Sequence, residues 1–302
     1  MKLVKLCYKI KRFFRKREIA ASTDVFFENL IVWYYRCFKN QEQGISIKNR
    51  RNRKVIISLT SIPSRIDKLW ITIESLLRQT YKPDKIILWL AEEEFRDVEL
   101  PDKLKKQQNR GLEICYCENL RSYKKYYYTA KRYPNDYIVT VDDDIIYAED
   151  MLEALVTTYK DNQGCIVCHR SHILKKGHRA LCGYNHWLKF EERKRIESQP
   201  SFSCFFTSGG GTLFPMFRMN RQVLDKDAFM KLAPCADDVW LNFCAWISDM
   251  KIVNTKGIWG HIIEIQSSSN NGLSIANVVY RKNDEQIKQV LEYLKIDVNQ
   301  YL

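Results

Sequence analysis

The stretch Asp136-Tyr-Ile-Val-Thr-Val-Asp-Asp-Asp-Ile-Ile-Tyr147 indicates the fold of this chain more clearly than any other. Residues 137–141 form a short apolar, β-branched run, which is typical of a buried parallel strand. Three carboxylates follow at once, those of Asp142, Asp143 and Asp144. Because ligands bind outside the carboxyl ends of the strands in open α/β sheets, we expect this triad to lie in a ligand site.

Three adjacent carboxylates repel one another, and a bound cation would offset that repulsion. Magnesium and manganese take carboxylate oxygen and commonly share their coordination shell with substrate phosphates. Side chains alternate along a strand, so we expect Asp142 and Asp144 to face one way and Asp143 the other. The alternative is a solvated acidic turn, in which Glu149 and Asp150 favour the start of the next helix.

The net charge of +13 is distributed unevenly along the 302 residues. Residues 1–54 hold 15 Lys and Arg against 4 Asp and Glu, a net of +11, which leaves +2 for residues 55–302. A nucleic-acid-binding module would spread basic charge across its folded body, so this distribution argues against one. Ten scattered cysteines favour reduced thiols in a cytoplasmic protein. We predict a basic N-terminal segment, 1–54, and a catalytic domain, 55–302.

The basic segment contains two apolar blocks. Residues 1–17 interleave Lys and Arg with apolar side chains near helical spacing, which predicts a basic amphipathic helix. Residues 25–38 are apolar and aromatic but too short to span a bilayer. Two interpretations stay open. The blocks hold the protein peripherally on the inner face of the membrane, or they pack against the catalytic domain with a solvated basic face.

Apolar runs alternate with helical patterns after residue 54. Strands are predicted at 55–62, 85–90, 112–117, 137–141, 165–169 and 251–255. Helices are predicted at 123–132, 151–160, 237–250 and 284–295, with another ending near Gln79. This alternation indicates an α/β fold with a mostly parallel sheet and right-handed crossovers.

Four features follow one another in a fixed order along the chain. They are Ser58-Leu-Thr-Ser-Ile-Pro-Ser-Arg65, the acidic triad, the glycines 209–211, and Ala236-Asp-Asp-Val-Trp240. This order resembles the nucleotide-sugar glycosyltransferases of the GT-A fold, especially bacterial polysaccharide-assembly enzymes, over about residues 55–280. The resemblance implies a single GT-A domain with a Rossmann-like sheet flanked by helices. It also implies transfer of a sugar from a nucleotide-sugar donor to a glycan or lipid-linked acceptor, with Mn2+ or Mg2+ as cofactor.

The resemblance places the donor in the loops that follow the first strands and beside the glycines. The residues that it implies for donor binding are Thr60, Ser61, Arg65, Glu92, Lys125, Asp142, Asp143, Gly210 and Gly211. A guanidinium pairs with diphosphate or stacks on a base, although Arg65 also suits a helix end. Glu92, like Glu93, also fits a solvated loop, and Lys125, like Lys124, fits a solvated helix start. The glycines also fit a tight turn.

The resemblance also implies the metal ligands and the catalytic base. Asp142 and Asp144 would hold the metal, and His261 is the candidate for a further ligand, with a structural histidine as the alternative. Inversion needs a base to deprotonate the acceptor hydroxyl, and Asp238 is the first candidate, followed by Asp237. Both acids also suit a helix start for electrostatic reasons alone, and a retaining reaction stays open.

A second class of enzyme fits the same acidic triad. A metal-dependent nucleotidyltransferase or phosphohydrolase would release pyrophosphate or inorganic phosphate, whereas a glycosyltransferase would release a nucleoside diphosphate. The identity of the released phosphate therefore separates the two classes.

Overall fold

The computed structural model describes residues 2–15, 21–47, 51–178, 180–187, 199–255, 262–266 and 282–302. Its strands are β1 (Val55–Thr60), β2 (Lys85–Ala91), β3 (Leu112–Cys117), β4 (Tyr137–Val141), β5 (Ile145–Ile146), β6 (Ile166–Cys168), β7 (Ser171–Ile173), β8 (Cys204–Phe206), β9 (Gly210–Pro215), β10 (Ile252–Asn254) and β11 (Ile263–Glu264). Its helices are α1 (Leu3–Arg15), α2 (Ala21–Cys37), α3 (Ile66–Leu77), α4 (Glu92–Phe95), α5 (Asp102–Gln107), α6 (Lys124–Arg132), α7 (Met151–Asp161), α8 (Lys226–Leu232), α9 (Asp237–Ile247) and α10 (Lys282–Tyr293).

The central sheet has seven strands in the order β10-β6-β9-β4-β1-β2-β3. Pairing is parallel between β1 and β2, β1 and β4, β2 and β3, and β10 and β6. Strand β9 is antiparallel to both of its neighbours, β4 and β6. The α/β fold class with a mostly parallel sheet, predicted from the sequence, is therefore confirmed.

Helices cover both faces of this sheet. Val139 and Val141 of β4 pack in the cluster that contains α3 and α7, whereas Ile138 packs in the cluster that contains α6, α8, α9 and α10. This division follows from the two-residue period of a strand, which sends alternate side chains to opposite faces. Burial on both faces explains why the strands are continuously apolar.

The apolar run at 205–214, which the glycines 209–211 interrupt, forms two strands. Strand β8 ends at Phe206, and β9 begins at Gly210. Because β9 runs antiparallel to β4, its first residues lie at the edge where β4 ends. This reversal brings the glycines next to the acidic triad.

Helices α1 and α2 pack against the sheet domain. Val4 and Tyr8 of α1 and Phe27 of α2 are buried in the same cluster as α3 and α7. The Tyr8 hydroxyl donates to the carbonyl of Ile146 at 2.9 Å. These contacts agree with the packing interpretation of the basic segment, and the domain boundary at residue 54 stays a prediction. No described helix is long and apolar enough to cross a membrane.

The start of α1 is capped by a side chain far away in sequence. The two carboxylate oxygens of Glu149 accept the backbone N–H groups of Val4 and Lys5 at 3.0 Å each. A carboxylate at a helix start satisfies free backbone donors and complements the helix dipole. Lys5 in turn pairs with Asp150.

We predict that Glu149→Ala lowers the free energy of unfolding by about 2 kcal/mol, because two hydrogen bonds to a charged acceptor are lost. Urea denaturation measures this change. Glu93→Ala is the matched control, since Glu93 is an exposed carboxylate, and its effect should stay within about 0.5 kcal/mol. Equal effects of the two substitutions would show that Glu149 does not hold α1.

Candidate active site

The predicted site residues converge on one edge of the central sheet. Strands β2, β1 and β4 are neighbours, so their carboxyl ends place Glu92, Thr60 and Asp142 along that edge. Gly210, at the start of the antiparallel β9, lies at the same edge. Parallel neighbours and one reversed strand thus bring together segments that are up to 150 residues apart.

The acidic triad lies just beyond the end of β4, which is Val141. Asp143 accepts a hydrogen bond from Ser61 at 2.6 Å and pairs with Arg65 at 2.7 Å. Asp144 pairs with the same Arg65 nitrogen at 2.9 Å. The expected separation of Asp143 from Asp144 is therefore wrong, because the triad occupies a turn, in which strand alternation does not apply.

Burial and mutual repulsion disturb the ionisation of the triad. Burial, followed by the charges of Asp142 and Asp143, raises the pKa of Asp144 from 3.8 to about 7. Burial also raises the pKa of Asp143, in spite of the opposing effect of Arg65. Burial therefore outweighs the opposing effect of the Arg65 guanidinium on the pKa of both carboxyl groups.

Asp142 lies directly against the turn that precedes β9. The backbone N–H of Asp142 donates to the hydroxyl of Tyr147 at 2.8 Å and to the carbonyl of Gly209 at 3.1 Å. A Cβ atom at Gly209 would overlap the carboxylate of Asp142. Glycine is therefore required at 209 for close approach rather than for a special backbone angle.

Lys125 joins the triad to the start of α9. Its side chain is 5% exposed, and its Nζ lies 3.0 Å from Asp142 Oδ1 and 3.1 Å from Asp237 Oδ2. Burial alone would lower the pKa of Lys125, but the carboxylates of Asp142, Asp237 and Asp238 raise it above its usual value. Lys125 is therefore a buried cation that links two acidic groups, rather than a solvated lysine.

The two acids that begin α9 differ in their ionisation. Burial would raise the pKa of Asp237, but Lys125 and the hydroxyl of Ser208, at 2.7 Å, lower it overall. Burial and the charge of Asp237 raise the pKa of Asp238 to about 6, although its Oδ1 accepts the N–H of Ser208 at 2.7 Å. Asp238 therefore has the proton affinity that suits a general base near neutral pH.

The other predicted residues have varied surroundings. The Thr60 hydroxyl donates to the carbonyl of Trp89 at 2.8 Å, and Glu92 is exposed at the end of β2. Gly211 has a φ of +94°, which favours glycine, and a Cβ there would crowd His169. His261, proposed as a metal ligand, lies outside the described residues.

One residue at this edge, Ser208, was missed by sequence reasoning, and it contacts both acids of α9. Gly209 was named only as part of the glycine motif, and its role is to make room for Asp142. Both belong to Ser208-Gly-Gly-Gly211, which the sequence marked as a loop. Its position opposite the triad depends on the antiparallel direction of β9, which the local sequence does not reveal.

Comparison with protein families identifies the chain. The model of glycosyl transferase family 2 matches residues 64–219, just over half of the 302 residues. The chain belongs to this family. The matched segment of this glycosyltransferase includes Arg65, the acidic triad and the glycines, and it ends before Asp237.

Two solved structures illustrate a distant similarity to this glycosyltransferase. The mannosyltransferase PcManGT from Pyrobaculum calidifontis, in complex with GDP-Man and Mn2+, is 12% identical with a TM-score of 0.48, over 88% of this chain and 71% of that one. A putative glucose-1-phosphate thymidylyltransferase from Bacillus anthracis, in complex with a sucrose, is 12% identical with a TM-score of 0.40, over 68% of this chain and 87% of that one. No functionally curated protein is similar enough in sequence to count as a match.

We predict that Lys125→Met lowers the free energy of unfolding by about 3 kcal/mol, because the buried carboxylate of Asp237 loses its cation. The loss at Asp142 adds little, since that side chain is 40% exposed. The substitution should also abolish binding of a nucleoside diphosphate, measured by calorimetry. Lys124→Met is the matched control. Lys124 is equally buried but pairs with Glu94 at 3.4 Å, so its loss should leave nucleotide binding intact.

The double variant Lys125→Met/Asp237→Asn separates stability from binding. Removing one carboxylate should restore part of the lost stability, whereas nucleotide binding should stay lost. Normal nucleotide binding by the single variant Lys125→Met would contradict the role assigned to this cation.

We predict that Asp144→Asn raises the melting temperature of the metal-free protein in chelator, with the largest gain near pH 8. The folded state raises the pKa of Asp144 from 3.8 to about 7, so ionisation of this group destabilises the fold as the pH rises between these values. The gain should shrink as the pH falls towards 4. A gain that is equal at every pH, or a loss at pH 8, would contradict the repulsion within the triad.

Proposed function

We propose that this glycosyltransferase moves a sugar from a nucleotide-sugar donor to an acceptor hydroxyl, with a divalent metal ion and inversion at the anomeric carbon. The observation that carries the proposal is the arrangement around Lys125. This cation pairs with the acidic triad on one side and with the start of α9 on the other, so the proposed donor site and the proposed base would lie next to each other.

The donor diphosphate is proposed to lie beside Arg65, Ser61 and Lys125. The Nε of Arg65 is buried and has no hydrogen-bond acceptor among the described residues. Its N–H group is therefore available to an incoming anion. Arg65 now pairs with Asp143 and Asp144. If a metal ion were to bind the carboxylates, the guanidinium would be able to pair with phosphate oxygen instead. At the same edge of the sheet, the hydroxyl of Ser61 and the ammonium group of Lys125 supply further hydrogen-bond donors.

Asp142 and Asp144 fit a metal ion that the substrate helps to hold. No group of three His, Cys, Asp or Glu side chains among the described residues forms a complete metal cage. Magnesium and manganese sites of substrate phosphates commonly take one or two carboxylates, so Mn2+ or Mg2+ matches this ligand set. Burial, and after it the charges of Asp142 and Asp143, raises the pKa of Asp144, and a bound cation would favour its ionised form. When bound, the metal would stabilise the charge of the departing nucleoside diphosphate.

Asp238 is proposed as the general base. Its carboxylate would accept the proton of the acceptor hydroxyl as that oxygen attacks the anomeric carbon. The bond from the anomeric carbon to the diphosphate oxygen breaks in the same step, and the nucleoside diphosphate leaves with the electron pair. Asp237, tied to Lys125 and Ser208, would keep Asp238 in place, while burial and then the charge of Asp237 raise the pKa of Asp238 to about 6.

We further propose a glycan or lipid-linked acceptor in surface polysaccharide synthesis at the inner face of the membrane. The net charge of +11 in residues 1–54 supports this location, because basic segments are attracted to anionic cytoplasmic leaflets. A membrane location would bring the enzyme to an acceptor that stays in the bilayer.

A donor screen tests the proposed reaction. Purified protein with Mn2+ is offered nucleotide sugars and a set of soluble acceptors, and the released phosphate compound is identified. Transfer with release of a nucleoside diphosphate, stopped by chelator, is expected. Release of pyrophosphate or inorganic phosphate would favour the nucleotidyltransferase or phosphohydrolase alternative, and activity in chelator would exclude the metal.

We predict that Asp238→Asn lowers kcat by about 100-fold or more while the affinity for the donor stays near normal, because general-base catalysis is lost. In the unsubstituted enzyme, kcat should rise with pH through about 6 as Asp238 loses its proton. Rate measurements at saturating donor test both. A collapse of donor binding with an unchanged kcat would place Asp238 at the donor rather than at the acceptor.

A further inference from the structure

Helices α1 and α2 are apolar on the side that faces away from the domain as well as on the buried side. Eight of the eleven large apolar side chains that the described chain exposes lie within the first 47 residues: Leu6, Ile10, Phe13, Val25, Phe26, Trp33, Phe38 and Ile47. Isolated exposed apolar residues are ordinary, but such a concentration marks an interaction surface.

The exposed side chains form one stripe on each helix. Leu6, Ile10 and Phe13 follow one another at spacings of four and three, which places them on one face of α1. On α2, Phe26 and Trp33 are seven residues apart and therefore share a face, where they are 62% and 57% exposed. We call these two stripes together the outer face.

The opposite stripe of each helix is fixed to the domain. On α1, Tyr8 bonds to the carbonyl of Ile146, and Lys11 bonds to that of Ile262. On α2, Glu28 pairs with Lys68 at 2.9 Å and accepts the N–H of Gln266 at 2.8 Å. The side of each helix that faces the domain, its inner stripe, is thus occupied by contacts with the domain.

Basic side chains border the outer face. Lys2 and Lys9 are exposed on the same side of α1 as Leu6, and Arg36 and Lys39 are exposed at the end of α2. Within the described part of the chain, none of these four makes an ion pair with a carboxylate. Apolar and aromatic side chains with unpaired cations around them match the chemistry of an anionic lipid surface.

We propose that the outer face of α1 and α2 docks the enzyme on an anionic bilayer, with the catalytic domain held rigidly on the inner stripes. This inference rests on the proposed location at the membrane and deepens it. The basic segment is not a detachable tether here, because its helices carry lipid contacts on one side and domain contacts on the other.

A second copy of the chain fits this surface less well. In a two-fold dimer the same patch faces itself, so the cations of one copy would lie against those of the other. Like charges opposed across an interface are unfavourable. Anionic lipid headgroups instead neutralise these cations while the apolar stripes insert.

Vesicle sedimentation of the full chain tests the proposal. The protein is mixed with vesicles of phosphatidylcholine alone or of phosphatidylcholine with phosphatidylglycerol, at low and high salt. It should pellet with the anionic vesicles at low salt and remain in solution with the neutral ones. Failure to pellet with anionic vesicles would overturn the proposal.

Matched variants locate the contact. Lys9→Glu/Arg36→Glu should weaken partitioning by about 30-fold or more, the factor given by roughly 1 kcal/mol for each of two basic contacts. The control is Lys131→Glu/Lys288→Glu, which changes the net charge equally but lies on α6 and α10, across the sheet. It should partition nearly as the unsubstituted protein does.

A second pair of variants tests the apolar contact. Trp33→Ser should lower partitioning at least about tenfold, whereas Tyr116→Ser, at an exposed aromatic of β3, should not. Equal loss in target and control would overturn the assignment. So would a concentration-dependent dimer in sedimentation velocity that Lys9→Glu/Arg36→Glu dissociates, because it would make a second copy the occupant.

The outcome is separable from that of the proposed reaction. Transfer to a soluble acceptor is measured without vesicles, and every outer-face variant should retain it with an unchanged melting temperature. If neither the unsubstituted protein nor any variant transfers sugar but the vesicle results are as expected, the docking surface is supported and the proposed reaction is contradicted.

Discussion

The ion pairs of one buried ammonium group, that of Lys125, connect the parts of the active-site edge. On one side it neutralises Asp142, which packs against Gly209, and on the other it neutralises Asp237 at the start of α9. A buried ion pair contributes little net stability, but it is costly to break when one partner is removed. Its effect here is mainly one of position, because it fixes the distance between the acidic triad and the acids of α9.

Much of the fold could be predicted from local sequence, because the strands are buried on both faces and therefore read as continuous apolar runs. The bounds of β3 and β4 agree with the prediction to the residue. The direction of β9 could not be predicted, since an apolar run of six residues has the same appearance in either direction. The direction of β9 decides where the glycines lie, so the contact between Gly209 and the acidic triad could not be predicted from local sequence either.

The site shows the same limit at the level of single residues. The four ordered motifs indicated a glycosyltransferase of the GT-A fold, and the match to glycosyl transferase family 2 confirms the glycosyltransferase class. The polysaccharide-assembly type stays a prediction. The sharing of Arg65 by Asp143 and Asp144 was not foreseen, because a strand pattern was extended into a turn. Likewise, the partner of the α1 start is Glu149, which is 145 residues from Val4 and carries no local signal of that contact.

The position of α1 has a consequence for biosynthesis. Lys11 contacts Ile262, 251 residues later in the chain. At synthesis rates of about 5–20 residues per second, roughly 10–50 s pass before that partner leaves the ribosome. During that interval α1 can already reach its earlier partners, Ile146 and Glu149, but not Ile262. The docking of α1 is therefore completed in stages, and its last contact forms only after residue 262 has been synthesised.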